Sequence, residues 1–516
     1  MKELERTHVS TLTSWNPATG EPLGSVPLMG PDEVASAVDL ARRAFPDWRR
    51  IGFEGRRHLL LRFRDVLAAA KDELAELITK ENGKPLVDSV QEVLIACEFL
   101  AYYANHAEGM LKDDRVFIPN PVVANKETLL AYEPKGVIGV ISPWNYPLHL
   151  TMAEVSGALA AGNTAVVKPS EHTPLIGQQL EALAHRAGLP EGVLVVVTGD
   201  GTTGAALAAA KVDRVCFTGS VATGKKVAHA AMDRLVPVTL ELGGKDPALV
   251  LPDVDLDFTA QGLVWGAFSN AGQACASVER VYVHPLVAES LMLKLVERTR
   301  ALVVGNGLDP ATEVGPIINE TQLERIDAQV RDAVEKGAKV LVGGHRLPGP
   351  GSFYAPTVLR DVTPDMLVMR EETFGPLLPV VVAEDEEAMI AAANDSPFGL
   401  SASVWCEDTE KGKSIARRLK AGTVWVNTGL ASYGLPYVPR GGFKESGIGK
   451  IGGHHGLMEM VDIKVIDLNE HGKRKDWWFP TWPDAYTYFG AGIELLHGTQ
   501  LGRRAEAALR FLRTRR

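Results

Sequence analysis

Two successive series of short β-rich runs, separated by stretches of helical periodicity, constrain this chain more than any other feature. The first comprises Thr164–Lys168, Gly192–Val197, Val212–Phe217 and Pro237–Leu242. The second runs from Pro247–Leu251 through Val281–Val283 and Lys339–Val342 to Gly422–Asn427. Near-continuous apolar strands connected by helices are the signature of parallel βαβ units buried on both faces. The fold class is therefore α/β, with two such sheets. Amphipathic stretches at 32–48, 57–80 and 89–108 predict helices ahead of the first sheet. At 516 residues and 46% apolar content the chain exceeds one domain and can bury a large core.

Bulk properties narrow the partners. A net charge of −10 and a pI near 5.8 speak against nucleic acid. The first residues carry no apolar leader core, and no run of 18 apolar residues occurs, so the chain reads as a cytoplasmic protein. Four cysteines, Cys97, Cys216, Cys275 and Cys406, lie far apart with no CxxC or Cys/His cluster, which predicts reduced thiols and no metal site.

Five short motifs carry chemistry. Cys275 follows Phe268-Ser-Asn-Ala-Gly-Gln-Ala among small residues that give a sulfur access, which suits a nucleophile, though buried inert thiols are common. Asn145 stands between two prolines in Pro143-Trp-Asn-Tyr-Pro147, after a strand-like run; its amide suits an oxyanion donor or a helix cap. Glu241, a lone carboxylate in the β-rich run Val236–Leu242, suits a general base or a partner of Lys245. Lys168-Pro-Ser-Glu171 and Phe217-Thr-Gly-Ser-Val-Ala-Thr-Gly224 each join a strand to a helix, where helix N-termini bind phosphate. Lys168 and Glu171 are placed there to face a ribose. The spacing of Gly219 and Gly224 departs from the usual dinucleotide fingerprint.

Taken in order, these motifs resemble the aldehyde dehydrogenase superfamily from about Ser14 to Leu468. Glu371-Glu-Thr-Phe-Gly-Pro376 and Gly441-Gly-Phe-Lys-Glu-Ser-Gly447 extend the match. The resemblance implies two Rossmann-like domains: NAD(P)-binding (1–123 and 145–242) and catalytic (243–456). It also implies a β oligomerisation element (124–144 and 457–469) in a homodimer or homotetramer. Cys275 becomes the nucleophile, Glu241 the base that activates water, and Asn145 with the Cys275 backbone N–H the oxyanion hole. The implied cofactor residues are Trp144, Lys168, Ser170, Glu171, Gly219, Ser220, Gly224, Leu242, Glu372 and Phe374. Glu171 disfavours a 2′-phosphate and so favours NAD, with NADP left open. Glu241 argues for hydrolysis over transfer of the acyl group to coenzyme A.

Departures from the family bear on substrate. Tyr146, His149 and Met152 are expected to face the substrate tunnel, with Tyr433 and Tyr437 as aromatic walls. Ala274 and Ala276 leave room beside the sulfur, which suits a medium or large apolar or aromatic aldehyde. Arg440 replaces an aromatic residue of many members, and either greets the distal carboxylate of a semialdehyde or is satisfied by local carbonyls or Glu445. Glu154 stands where many members carry lysine. The segment 470–516 continues past the usual end as an aromatic and basic arm, closing in a helix-like run from about Leu501 to Arg516. It suits a neighbouring subunit or, less well, a membrane surface. A scaffold recruited to membranes by that arm is the non-enzymatic alternative.

Overall fold

The computed structural model describes residues 10–118, 127–430, 432–468, 478–479 and 481–514. They divide into two compact units, 1–110 with 134–462 and 111–133 with 463–516.

The larger unit contains both expected sheets. Strands Val137–Ile141, Thr164–Lys168, Leu194–Val196, Arg214–Thr218 and Val238–Glu241 run parallel in one sheet, closed at its edge by antiparallel Gly447–Ile448. The first four of these are buried along their whole length, as strands between two helical layers must be. The second sheet has seven strands. Asp246–Val250 sits beside Val278–Val283 and Ser401–Trp405, all parallel, and Lys339–Val342 adds an antiparallel edge. Its core runs from Leu249 and Leu263 through Phe268 and Tyr282 to Trp405.

The helical stretch expected over 57–80 is two helices, Gly52–Ala69 and Lys71–Asn82. Both helices pack against Leu86–Met110 and Pro174–Arg186, with the break at Ala70 between them.

The smaller unit holds a three-stranded sheet of Asp114–Val116, Glu127–Pro134 and Val461–Leu468. The β element expected at 124–144 thus ends at Pro134, because Val137–Ile141 belongs to the six-stranded sheet. The arm forms a helical hairpin of Ala485–His497 and Leu501–Thr514. Trp482, Tyr488 and Phe511 pack between its helices, with the Tyr488 and Phe511 rings stacked at 4.4 Å. The basic cluster at 473–475 lies outside the described residues.

Candidate functional site

Four of the sequence motifs sit where strands of the six-stranded sheet end at their carboxyl termini. Pro143–Asn145 follow Ile141, Lys168 ends its strand, Gly219 follows Thr218, and Glu241 closes Val238–Glu241. Carboxyl ends of parallel strands are where doubly wound sheets leave a crevice. The second sheet supplies Cys275 from the turn just before Val278–Val283.

That turn is held in unusual backbone. Asn270, Ala271 and Gly272 have φ of 51°, 55° and 72°, three consecutive left-handed residues. A Cβ on Gly272 would lie 2.2 Å from the carbonyl oxygen of Gly375, so only glycine lets the loop close. Gln273 fastens it, donating to the carbonyls of Asn270 at 3.1 Å and Pro316 at 3.2 Å and accepting from Ile318 N–H at 2.9 Å. Cys275 is thereby presented at the junction of two cavities, one of about 180 Å³ and one of about 150 Å³.

Glu241 lines the second cavity beside Cys275. Its Oε1 accepts from the Tyr433 hydroxyl at 2.9 Å, and its Oε2 is without a hydrogen-bond partner. Lys245 does not pair with it, being bonded to Glu279 at 2.7 Å and Thr373 at 2.9 Å. Burial raises the Glu241 carboxyl above the ordinary range, against the opposing pull of Arg440, Tyr433 and Cys275. Burial also pushes the Cys275 thiol well up, and the adjacent Glu241 carboxylate adds to this. Both groups are thus shifted toward their protonated forms, with the thiol and the carboxyl side by side.

Asn145 is buried and does not cap the following helix, whose N-cap is Tyr146. Its Nδ2 donates to Gln273 O at 3.1 Å, tying it to the Cys275 loop. A pair that the sequence gave no signal for holds it in place. Lys84 and Glu92, both fully buried, form an ion pair at 2.8 Å. Lys84 Nζ also donates to Asn145 O at 2.6 Å and lies 3.8 Å from the centre of the Tyr146 ring. Glu92 Oε1 accepts from Leu148 N at 2.7 Å and His149 N at 3.0 Å, so a distant carboxylate satisfies the start of helix Pro147–Ala161.

The larger cavity is lined by Tyr146, His149, Leu150, Trp265, Leu430 and Tyr433, with Ala274 and Ala276 flanking Cys275. Asp88 and Glu92 are its charged lining, and no lysine or arginine is among the described lining residues. Two expectations fail here. Met152 is fully buried in the helix interior and takes no part in the lining, because His149 and Leu150 occupy the helix face that meets the cavity. Tyr437 is 55% exposed, with its hydroxyl on Glu98. Arg440 stands behind the wall: it is 2% exposed, donates from Nη1 to Tyr433 O and lies 3.3 Å from His149 Nε2. Its Nε and Nη2 have no partner, and Glu445 pairs with Lys225 instead. His149 is held well below its usual range by burial, then by Arg440 and Lys84, and so stays neutral. Burial raises the Glu154 carboxyl to about 7.

The smaller cavity is lined by Trp144, Gly219, Ser220, Leu242, Glu372 and Phe374. Trp144 meets Phe374 edge to face at 5.3 Å. Ser220 is the N-cap of helix Val221–Met232, and Gly224 leaves the space that Leu242 fills, a Cβ there falling 2.5 Å from it. Gly243 is equally tight, since a Cβ would lie 2.5 Å from the Glu372 carboxylate, which accepts from Gly244 N at 3.0 Å. Further along, Lys168 Nζ bonds Glu171 at 3.1 Å, with Ser170 Oγ at 3.4 Å from the same oxygen. Although burial opposes it, Lys168 keeps the Glu171 carboxyl below its ordinary range and hence charged. A capped helix start, small residues along the floor and carboxylates for hydroxyls suit a dinucleotide. Among the described residues no cluster of three or more His, Cys, Asp or Glu suits a metal ion.

A two-sheet α/β fold in which a cleft suited to a dinucleotide and an apolar cavity meet at a cysteine and a buried carboxylate fits a cofactor-dependent oxidoreductase. The sequence match is specific: residues 4–466 fit the aldehyde dehydrogenase family, and the chain belongs to it. It is 39% identical over 461 residues to the mitochondrial succinate-semialdehyde dehydrogenase of Arabidopsis thaliana, covering 88% of this chain and 86% of that one. It is 37% identical to a glutarate-semialdehyde dehydrogenase of Pseudomonas putida, covering 90% and 96%. A solved NAD-dependent aldehyde dehydrogenase from Sinorhizobium meliloti superposes with a TM-score of 0.88 at 36% identity, covering 92% and 95%. An NADP-dependent enzyme of Escherichia coli gives 0.86 at 37%, covering 89% and 95%. The protein is an aldehyde dehydrogenase that uses NAD or NADP.

Proposed function

We propose that this enzyme oxidises an uncharged, apolar or aromatic aldehyde to its carboxylate, with Cys275 as nucleophile, Glu241 as base and Asn145 as oxyanion donor. The observation that carries the mechanism is the meeting of these three residues where the two cavities join. Glu241 takes the Cys275 proton as sulfur bonds to the carbonyl carbon. The oxygen so charged is met by Asn145 Nδ2, a donor whose loss typically costs about 10²–10³ in rate. Trp144, Glu372, Phe374, Lys168 and Glu171 would hold the dinucleotide, whose nicotinamide supplies the hydride acceptor when bound. Once that first proton has passed to solvent, Glu241 draws a proton from water, the water oxygen bonds to the acyl carbon, the carbon–sulfur bond breaks, the sulfur recovers a proton from Glu241 and the acid product ionises to its carboxylate. A carboxylate at this point supports hydrolysis, so no coenzyme A is required. The charge held on Glu171 favours NAD.

The relatives named above are semialdehyde dehydrogenases, which makes a distal carboxylate the competing reading. Its support here is Arg440, with two donors free and buried. The cavity wall argues the other way: a carboxylate on the substrate would meet Asp88, while Glu92 is already paired with Lys84, and no lysine or arginine is among the described lining. The deciding experiment measures NADH and NADPH formation, without coenzyme A, for benzaldehyde, hexanal and succinate semialdehyde. Higher kcat/KM for the uncharged pair supports the reading, and preference for the semialdehyde refutes it. Loss of all activity in Cys275→Ala is required in either case.

Assembly follows the same lines. Val461–Leu468 is an edge strand with Ile463 and Val465 more than half exposed, which suits pairing with a second copy in a homodimer or homotetramer. In the arm, Leu501, Leu509 and Leu512 form an exposed stripe beside Arg510 and Arg513, suited to a neighbouring subunit. No helix is long and apolar enough to cross a membrane. The four free thiols suit the cytoplasm.

A further inference from the structure

We propose that Tyr433 is a positioning residue for Glu241: its hydroxyl holds Oε1, and so turns Oε2 toward Cys275 and the water that follows. The inference rests on Glu241 acting as the base. Both side chains are buried, the bond is 2.9 Å, and of the two Glu241 oxygens Oε2 is the one without a hydrogen-bond partner. A glutamate at a strand end has three rotatable bonds and no intrinsic reason to keep one oxygen forward. Fixing the other oxygen supplies that reason, and directs the more basic lone pairs to the reacting side.

Tyr433 is itself anchored on every side. Its N–H donates to Leu430 O at 2.9 Å and its carbonyl accepts from Arg440 Nη1. Its ring stands edge-on to Trp425 at 6.2 Å, and Trp425 Nε1 is fixed to Ser432 Oγ at 2.7 Å. Leu430 and Asn427 both have φ of 56°, so this loop keeps a strained path that a mere wall would not require. The Arg440 guanidinium carbon lies 5.4 Å from the Tyr433 ring centre.

The groups that face Glu241 are Cys275 from the second sheet's loop, Tyr433 and Arg440 from the loop at 427–440, and Glu154 from helix Pro147–Ala161. Arg440 and Tyr433 favour the ionised carboxylate and Glu154 opposes it. Removing the Tyr433 hydroxyl therefore raises the pH at which Glu241 ionises. The test is Tyr433→Phe in the full chain, which keeps the ring and removes the donor. The expected result is a fall in kcat of about tenfold or more, the typical worth of one hydrogen bond to a charged group. The acid limb of the kcat profile moves to higher pH, while cofactor affinity, read by fluorescence titration, stays constant. A tyrosine that only lines the tunnel would change KM and leave kcat and the acid limb alone, which would overturn the proposal. Glu241→Gln separates the two readings. Full kcat in Glu241→Gln removes the base assignment and the proposal with it. An inactive Glu241→Gln beside an unaltered Tyr433→Phe removes the proposal alone.

Discussion

The buried pair of Lys84 and Glu92 makes a demanding prediction, because it has no exposed face to fall back on. In Lys84→Met the Glu92 carboxylate keeps two backbone donors, from Leu148 and His149, but loses its cation. In Glu92→Leu the Lys84 ammonium keeps the Asn145 carbonyl, the face of the Tyr146 ring and the charge of Asp88 but loses its ion pair, and two N–H groups at a helix start lose their acceptor. Leaving one charge of a buried pair uncompensated costs about 3–5 kcal/mol. Burial already lowers the Lys84 ammonium from its ordinary range, with Glu92 the main influence holding it up and Asp88 a lesser one, so the lysine in Glu92→Leu loses its chief support for staying charged. The double variant Lys84→Met, Glu92→Leu removes both charges, and its cost is expected to be well below the sum of the singles, which are adjacent and must couple. Urea unfolding followed by tryptophan fluorescence measures this. The same variants are assayed for kcat, because Lys84 also fixes the carbonyl of Asn145; Lys84→Met is expected to lower kcat while KM for the cofactor holds. Singles that cost less than about 1 kcal/mol each and add without coupling would refute the reasoning.

Three further outcomes follow from the same geometry. Asn145→Ala is expected to reduce kcat/KM about 10²–10³-fold with cofactor affinity unchanged, measured by steady-state kinetics and titration. Gly272→Ala forces a Cβ to 2.2 Å from Gly375 O at a φ of 72°, and loss of both activity and thermal stability is expected, since left-handed strain alone costs about 1–3 kcal/mol. Phe511→Ala empties the stack on Tyr488 and removes a core ring typically worth about 3–5 kcal/mol; amide hydrogen exchange over 485–514 is expected to accelerate, and unchanged protection would count against the hairpin core.

Much of the fold was legible because it depends on local pattern. The runs at 164–168 and 137–141 are largely apolar since both faces of their strands are covered, and such runs announce a parallel sheet. The motifs at Asn145, Lys168, Gly219 and Glu241 fall at strand ends, where a turn rich in Gly and Pro leaves a mark. The break at Ala70 left none, since alanine is a good helix former and the turn there is imposed by packing. Met152 and Tyr437 were expected at the tunnel on helical spacing or aromatic character, yet one faces the core and the other the solvent. Spacing along a helix fixes relative faces but not which face meets a cavity.

By itself the sequence determined the two α/β sheets, the order of the motifs and the chemistry those motifs can perform, because strand burial and turn composition are local properties. Tertiary structure alone decided the partners. Glu241 meets Tyr433 and not Lys245, Asn145 is gripped by Lys84 and Gln273, and Arg440 stands behind the tunnel wall. Each of these contacts joins residues far apart in the chain, and a buried polar group takes whichever partner the packing brings within about 3 Å.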